Sequence, residues 1–404
     1  MTKLQQRLFW LLVFLLPVQF GRHFWPEWSY VMGLRIDYLS PTIYLTDILM
    51  VAILGLWGLE KISNFQFPIS NFLRRFWWVL AVFAYLLVNS CLAQNQGAAL
   101  YKSAKIIEFA LLGFYIAKNK ISLSMIRRPL SIAVVYSSLI AVTQFLKQAS
   151  LGGVFWWLGE RTFNAGTPGI AKAIVNGQLI MRPYATFPHP NVLAGFVLVS
   201  LILIGVRCQA LGVRKIFHWL AIALGIVAIL ISFSRSAWVV GLLIGLWLMR
   251  KKPLLFTVYC LLSTVGVVAW LAPHFSANEA FSQRLQLIKT TWLMIQATPL
   301  IGVGLSNFIV RLPDFWQITG FTYWLQPVHN IYLLVAAETG LVGLVIFLWF
   351  LILTFRKLLE IGNWKLVIPL LAILLTGVAD HYWLTLQQSQ LLFAIILGLA
   401  WAKK

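Results

Sequence analysis

What most limits this chain is a succession of apolar runs, each about 15 to 25 residues long and broken by short polar connections, a length that lets a helix cross a hydrocarbon core of roughly 30 Å. About twelve such runs are present, at 8–21, 42–59, 76–93, 104–117, 130–148, 191–206, 216–233, 236–249, 254–271, 329–354, 364–379 and 383–402. The first and fourth are short. With 60% hydrophobic and only 11% charged residues, the composition lies far from that of a soluble domain. The expectation is an all-α, polytopic integral membrane protein, with residues 1–404 forming one membrane domain. The start, "MTKLQQRLFWLLVFLLPVQF", has basic residues and an apolar stretch but no small-residue cleavage site after it, which predicts a retained first span.

A formal charge of +21 would suggest nucleic acid in a soluble protein. Here the basic residues form short clusters between apolar runs, as topology signals do, and nucleic-acid binding is not expected. Arg74 and Arg75, Lys118 and Lys120, Arg127 and Arg128, Arg250 to Lys252, and Arg356 and Lys357 fall at every second connection. That alternation predicts an even number of spans with both termini cytoplasmic. It also puts two longer segments outside, 149–190 and 272–328. Within the second, Phe281, Leu285, Ile288, Trp292 and Ile295 recur at helical spacing beside Arg284 and Lys289, predicting an amphipathic helix in the interface. Cys91, Cys208 and Cys260 show no pairing or metal-ligand spacing and are expected to be packing residues.

Four outer stretches can carry chemistry. In "RPYATFPHPN", residues 182–191, the prolines forbid a regular helix, so Arg182 and His189 belong to a shaped loop at the mouth of the bundle. The alternative is an interfacial turn with a snorkelling arginine. In "ISFSRSAWVVG", Arg235 lies between two apolar runs on the side that positive-inside logic leaves poor in cations; a guanidinium there suits bidentate contact with a phosphate. "QPVHNIYLLV" sets His329 at a helix start, where a neutral imidazole serves as a general base or simply as a cap. "TGVADHYW" supplies Asp380 and His381, which either orient another histidine or form a polar turn. Lys105 and Glu108, one helical turn apart near the outer half of the fourth span, predict an internal ion pair. The sequence has no nucleotide loop, no HExxH or GxSxG motif and no clustered outer carboxylates, so no metal and no cofactor are expected.

The segments "RPYATFPHPNVLAGF", "SFSRSAW", "RLQLIKTTWLMIQATPLIGVGLSNF" and "VHNIYLLVAAETGLVGLVIF", in that order, resemble the O-antigen ligase and polymerase superfamily of polytopic glycosyltransferases. The resemblance implies a GT-C-like helical fold in the cytoplasmic membrane with its active site on the outer face. It implies metal-independent, inverting transfer of a glycan from undecaprenyl pyrophosphate to an acceptor hydroxyl of a glycan, lipid or protein. Arg182, Arg235 and Arg284 would hold the pyrophosphate, and His329 would activate the acceptor. His189, Asn330, Asp380 and His381 join Arg284 as substrate-binding candidates, and Glu338 in "AETG" reads as glue between helices. A polysaccharide polymerase of the same superfamily, a lipid-linked oligosaccharide flippase and an inactive scaffold are the alternatives.

Overall fold

The computed structural model describes residues 1–63, 69–175, 177–205, 213–249, 279–316 and 325–402. Most of them are helical. In chain order the helices are α1 Lys3–Phe14, α2 Leu45–Ser63, α3 Ile69–Leu92, α4 Gln96–Lys118, α5 Leu123–Lys147, α6 Pro190–Gly205, α7 Val213–Ile231 and α8 Arg235–Met249, then α9 Glu279–Ala297, α10 Phe308–Phe315, α11 Ile331–Glu360, α12 Trp364–Gly377, α13 Tyr382–Thr385 and α14 Gln387–Trp401. The expected run 254–271 lies outside the described residues; each of the others overlaps a helix. Among the described residues two helices, α5 and α11, are long and apolar enough to cross a membrane, and α6, α8, α12 and α14 are shorter apolar helices.

Several helix ends differ from expectation for local reasons. α1 is closed at its start by a capping box of Thr2 and Gln5. It stops at Phe14, short of Pro17, whose ring and missing N–H do not allow the helix to run on. The last apolar run is divided at Leu386, where extended backbone separates α13 from α14. Three small antiparallel strand pairs stand outside the all-helical expectation. Gly21–His23 pairs with Thr42–Tyr44, Tyr30–Val31 with Leu34–Arg35, and Lys172–Val175 with Gln178–Met181. The second pair closes through Met32 and Gly33 at φ 51° and 78°, the positive-φ pair that a two-residue hairpin uses.

α6 is the centre of the bundle, buried along nearly its whole length and packed by α5, α7, α12 and α14. Beside it α4 and α14 approach closely: a Cβ on Gly398 would lie 2.8 Å from the Gly113 carbonyl oxygen. Small residues let the backbones meet where lipid supplies no hydrophobic drive. α9 presents Leu285, Ile288 and Trp292 outward and buries Leu287, Thr290, Thr291 and Met294 against the protein. Ile295, expected on the outward face, is buried instead, and the side chain of Phe281 lies outside the described residues. Cys91 is exposed and free rather than packed, and Cys208 and Cys260 are not among the described residues.

α11 contains a break. Gly340 has φ 64° and ψ −178° inside the helix, and the 298–304 turn is stitched to it. The Leu341 N–H donates to Pro299 O at 2.8 Å, Val303 N–H to Ala337 O at 2.8 Å and Gly304 N–H to Glu338 O at 3.0 Å. Asn89 of α3 adds its side-chain amide to Ile301 O at 2.7 Å and Glu338 O at 3.1 Å. Glu338 also takes the Phe308 N–H at 3.4 Å, so this stretch joins α3, α10 and α11 as the glue reading expects. The N-terminal part of α11, which follows His329, is thereby held to a fixed frame.

Candidate active site

The site forms where several helices end. Buried Gln144, near the end of α5, shapes the proline-rich loop: the N–H groups of Tyr184 and Ala185 donate to its Oε1 at 3.0 and 2.7 Å, and its Nε2 donates to Ala185 O at 3.0 Å. The loop delivers Arg182 half-buried beside the α7–α8 turn, where Arg182 Nε donates to Ser232 O at 2.6 Å. Its NH2 donates to Asn191 Oδ1 at 2.6 Å. Asn191, in the first turn of α6, passes the chain on: its Nδ2 donates to Asp380 Oδ2 at 2.9 Å, and its backbone N–H donates to His189 Nδ1 at 3.1 Å. Asp380 is buried, and its Oδ1 accepts the His381 N–H at 2.9 Å.

Arg235 begins α8 and Arg284 lies on α9, both exposed. Burial first, and then the fields of Arg235 and Arg284, pull Arg182 down to about 10 against the opposing fields of Tyr184 and Asp380, which leaves it charged at neutral pH. The three arginines predicted to act together are therefore electrostatic neighbours. Their field extends to the imidazoles. Burial, then Arg182, brings His189 to about 3, and burial brings His381 to about 3 with Arg284 contributing. His329 is also lowered by burial and Arg284, with Asp380 opposing. Burial resists ionisation of Asp380, but His381, His329, His189 and the Asn191 hydrogen bond together outweigh it and hold the carboxyl below its ordinary value.

His329 and His381 meet edge to face at 5.3 Å between ring centroids, and Tyr38 meets His381 at 5.5 Å. His381 Nδ1 is 2.8 Å from Thr385 Oγ1, whereas His329 Nδ1 is buried with no hydrogen-bond partner. An imidazole nitrogen left open beside a buried carboxylate is disposed to take a proton from an incoming group. Asn330 has a different job: its Oδ1 caps α11 by accepting the Tyr332 and Leu333 N–H groups at 2.9 Å each, and its Nδ2 donates to Val378 O at 3.0 Å. Its side chain is committed to backbone.

A cavity of about 470 Å³ opens beside the imidazoles. Its lining includes His189, His329, Asp380 and His381 together with Tyr38, Tyr44, Tyr101, Lys102 and Lys105. The three arginines do not line it. Lys105 forms the expected bond to Glu108 at 2.9 Å and a second, across helices, to Asp47 at 2.7 Å. Two carboxylates thus cluster on one lysine, which their wide separation in the chain hides from sequence reading. Lys102, Tyr38 and Asn191 also belong to the site and were not singled out by sequence; a short polar residue just inside a helix start looks like an ordinary helix beginning.

Only one group among the described residues has the make-up of a metal site: His329, Asp380 and His381 each offer a ligand atom within 4.8 Å of the others. Two histidines and a carboxylate suit a transition metal by donor type. The surrounding field does not, because Arg284 already acts on both imidazoles and both Asp380 oxygens accept hydrogen bonds.

The arrangement is a largely helical bundle with an arginine cluster near an imidazole nitrogen that has no partner. The comparison with known families is specific. Residues 220–348 match the family described as O-antigen ligase, which supports the O-antigen ligase superfamily, a family of membrane proteins, and glycan transfer of the ligase or polymerase type with a lipid-linked glycan and an acceptor as partners in general. The match includes Arg235, Arg284 and His329; Arg182, His189, Asp380 and His381 lie outside it. No curated protein matches the chain.

Proposed function

We propose that the protein transfers a glycan from undecaprenyl pyrophosphate to an acceptor hydroxyl at the outer face of the cytoplasmic membrane, without a metal and with inversion, in a bundle of about twelve crossings with both termini inside. The observation that carries this reading is the continuous hydrogen-bonded chain from Arg182 through Asn191 to Asp380, which sets an arginine cluster beside the unpartnered nitrogen of His329. Arg182, Arg235 and Arg284 hold the pyrophosphate. The acceptor oxygen attacks the anomeric carbon as the bond to the phosphate oxygen breaks; that oxygen keeps the electron pair, and the arginines stabilise the charge. His329 takes the acceptor proton, and Asp380 stabilises the imidazolium that results. The cationic field on His329 and His381 supports metal-free chemistry, since a dication would be repelled where a diphosphate is attracted.

The test is transfer in proteoliposomes with a fluorescent glycan on undecaprenyl pyrophosphate, EDTA present, no nucleotide and a panel of acceptors. Release of undecaprenyl pyrophosphate with the glycan on an acceptor is the expected result, lost in Arg235→Ala and His329→Ala. A lipid-linked glycan as the acceptor would make the protein a polymerase; movement of the intact glycolipid across the bilayer would replace the reading with a flippase.

A further inference from the structure

We propose that the 470 Å³ cavity is an acceptor subsite for an uncharged saccharide. This rests on the transferase reading only for the word acceptor; the saccharide site stands on the cavity itself. The first argument is position. Arg182, Arg235 and Arg284 do not line the cavity, and Arg182 is joined through Asn191 to Asp380, which does, so a ligand in the cavity meets His329 and Asp380 without reaching Arg182.

The second argument is charge. Each of the other cationic side chains in the lining is already answered from within the protein. Lys105 is held by Asp47 at 2.7 Å and Glu108 at 2.9 Å. Arg161 pairs with Asp37 at 3.6 Å. Lys102 Nζ donates to Leu384 O and lies in the field of Glu338. His23 shares its Nδ1 with Thr42 Oγ1 at 2.9 Å and Ser40 Oγ at 3.3 Å, and its pKa is lowered, chiefly by burial. A uronic acid or sugar phosphate would enter a chamber whose described cations are engaged and whose lining acids, the exposed Asp37 and the buried Asp380, repel it.

The third argument is hydrogen-bonding capacity. Four lining residues hold a buried polar atom with no partner: Gln19 Oε1, Gln326 Nε2, His329 Nδ1 and Tyr382 Oη. A sugar hydroxyl both donates and accepts, so it answers an amide N–H and an imidazole nitrogen together. Tyrosine rings and amides complete a lining suited to a polyhydroxyl body, and the volume falls within the range of roughly 300–1,000 Å³ for small-molecule sites.

The experiment measures saturation-transfer NMR on the full chain in nanodiscs. The probes are neutral hexose di- and trisaccharides and length-matched uronic-acid and sugar-phosphate counterparts. Expected is binding of neutral members at least tenfold tighter than their anionic counterparts. Gln326→Leu should weaken the neutral ligands about fivefold or more. Asp37→Asn, a change at an exposed pair that leaves the fold intact, should release Arg161 and narrow the gap several-fold. Equal or tighter binding of the anionic sugars, no binding of any neutral member, or an unchanged affinity in Gln326→Leu would overturn the proposal. Neutral binding in a protein that fails every transfer assay would uphold the saccharide site and count against the transferase reading alone.

Discussion

The Arg182–Asn191–Asp380 region and the Lys105–Asp47–Glu108 cluster, which both reach the lining of one cavity, treat charge in opposite ways. At Lys105 one cation is enclosed by two carboxylates, each within hydrogen-bonding distance. At Arg182 like charges gather: Arg235 and Arg284 add their fields, and the nearest carboxylate, Asp380, is reached only through an amide. Buried opposite charges that satisfy one another form part of the scaffold. A half-buried arginine kept among other cations favours an anion brought from outside. The contrast separates what holds the site from what the site binds.

That contrast can be broken most severely at His329. His329→Ala is expected to lower kcat by about 10²–10⁴-fold with little change in thermal stability, checked by single-turnover transfer beside a melting curve. Lys105→Met should do the reverse. Leaving Asp47 and Glu108 without their cation should destabilise the fold by about 3–5 kcal/mol, read by denaturation in detergent, with Asp47→Asn and Glu108→Gln restoring part of the loss. Asn191→Ala interrupts the link between the two kinds of charge, and leaving one buried partner unsatisfied should cost about 1–3 kcal/mol, seen mainly in kcat/KM for the donor lipid.

The pH dependence sharpens the same comparison. His329 must be neutral to take a proton, and burial and Arg284 lower its pKa from 6.5. Transfer should therefore persist below pH 6.5 and fade only as pH drops through the lowered value. His189 and His381, at about 3 in the fold against 6.5 when unfolded, bind protons more readily in the unfolded chain, so stability should be full above pH 6.5 and decline steadily toward pH 3. A thermal-shift series across that window measures it. The smallest effect belongs to Arg161–Asp37, an exposed pair, whose double neutralisation should change stability by about 0–1 kcal/mol.

Much of this was legible in the sequence where the signal is local. Prolines around Arg182, serines around Arg235 and a helix start at His329 each mark a residue placed against the grain of an apolar chain, and Lys105 and Glu108 are one turn apart on one helix. The missing parts are contacts between distant elements. Asp47 joins the Lys105 pair from another helix, and Asn191 is a hub only because Arg182 and Asp380 arrive on either side of it. Asn330 misled for the same reason: its neighbour His329 carries the chemical signal, while its own side chain is claimed by helix capping. The strand pairs at 21–44 are too short for alternation to stand out beside long apolar runs.

The break at Gly340 has a consequence for engineering by recombination. A Cβ at Gly340 would lie 2.2 Å from the Leu300 carbonyl oxygen, and residues 298–304 donate hydrogen bonds to the helix before the break and accept one from the helix after it. The segment from about 298 to 341, with the face of α3 that carries Asn89, is therefore an inheritance unit. Chimeras with crossover points outside it should keep His329 in register, whereas a crossover between Gly304 and Gly340 would marry a foreign turn to a helix that no longer bends to receive it.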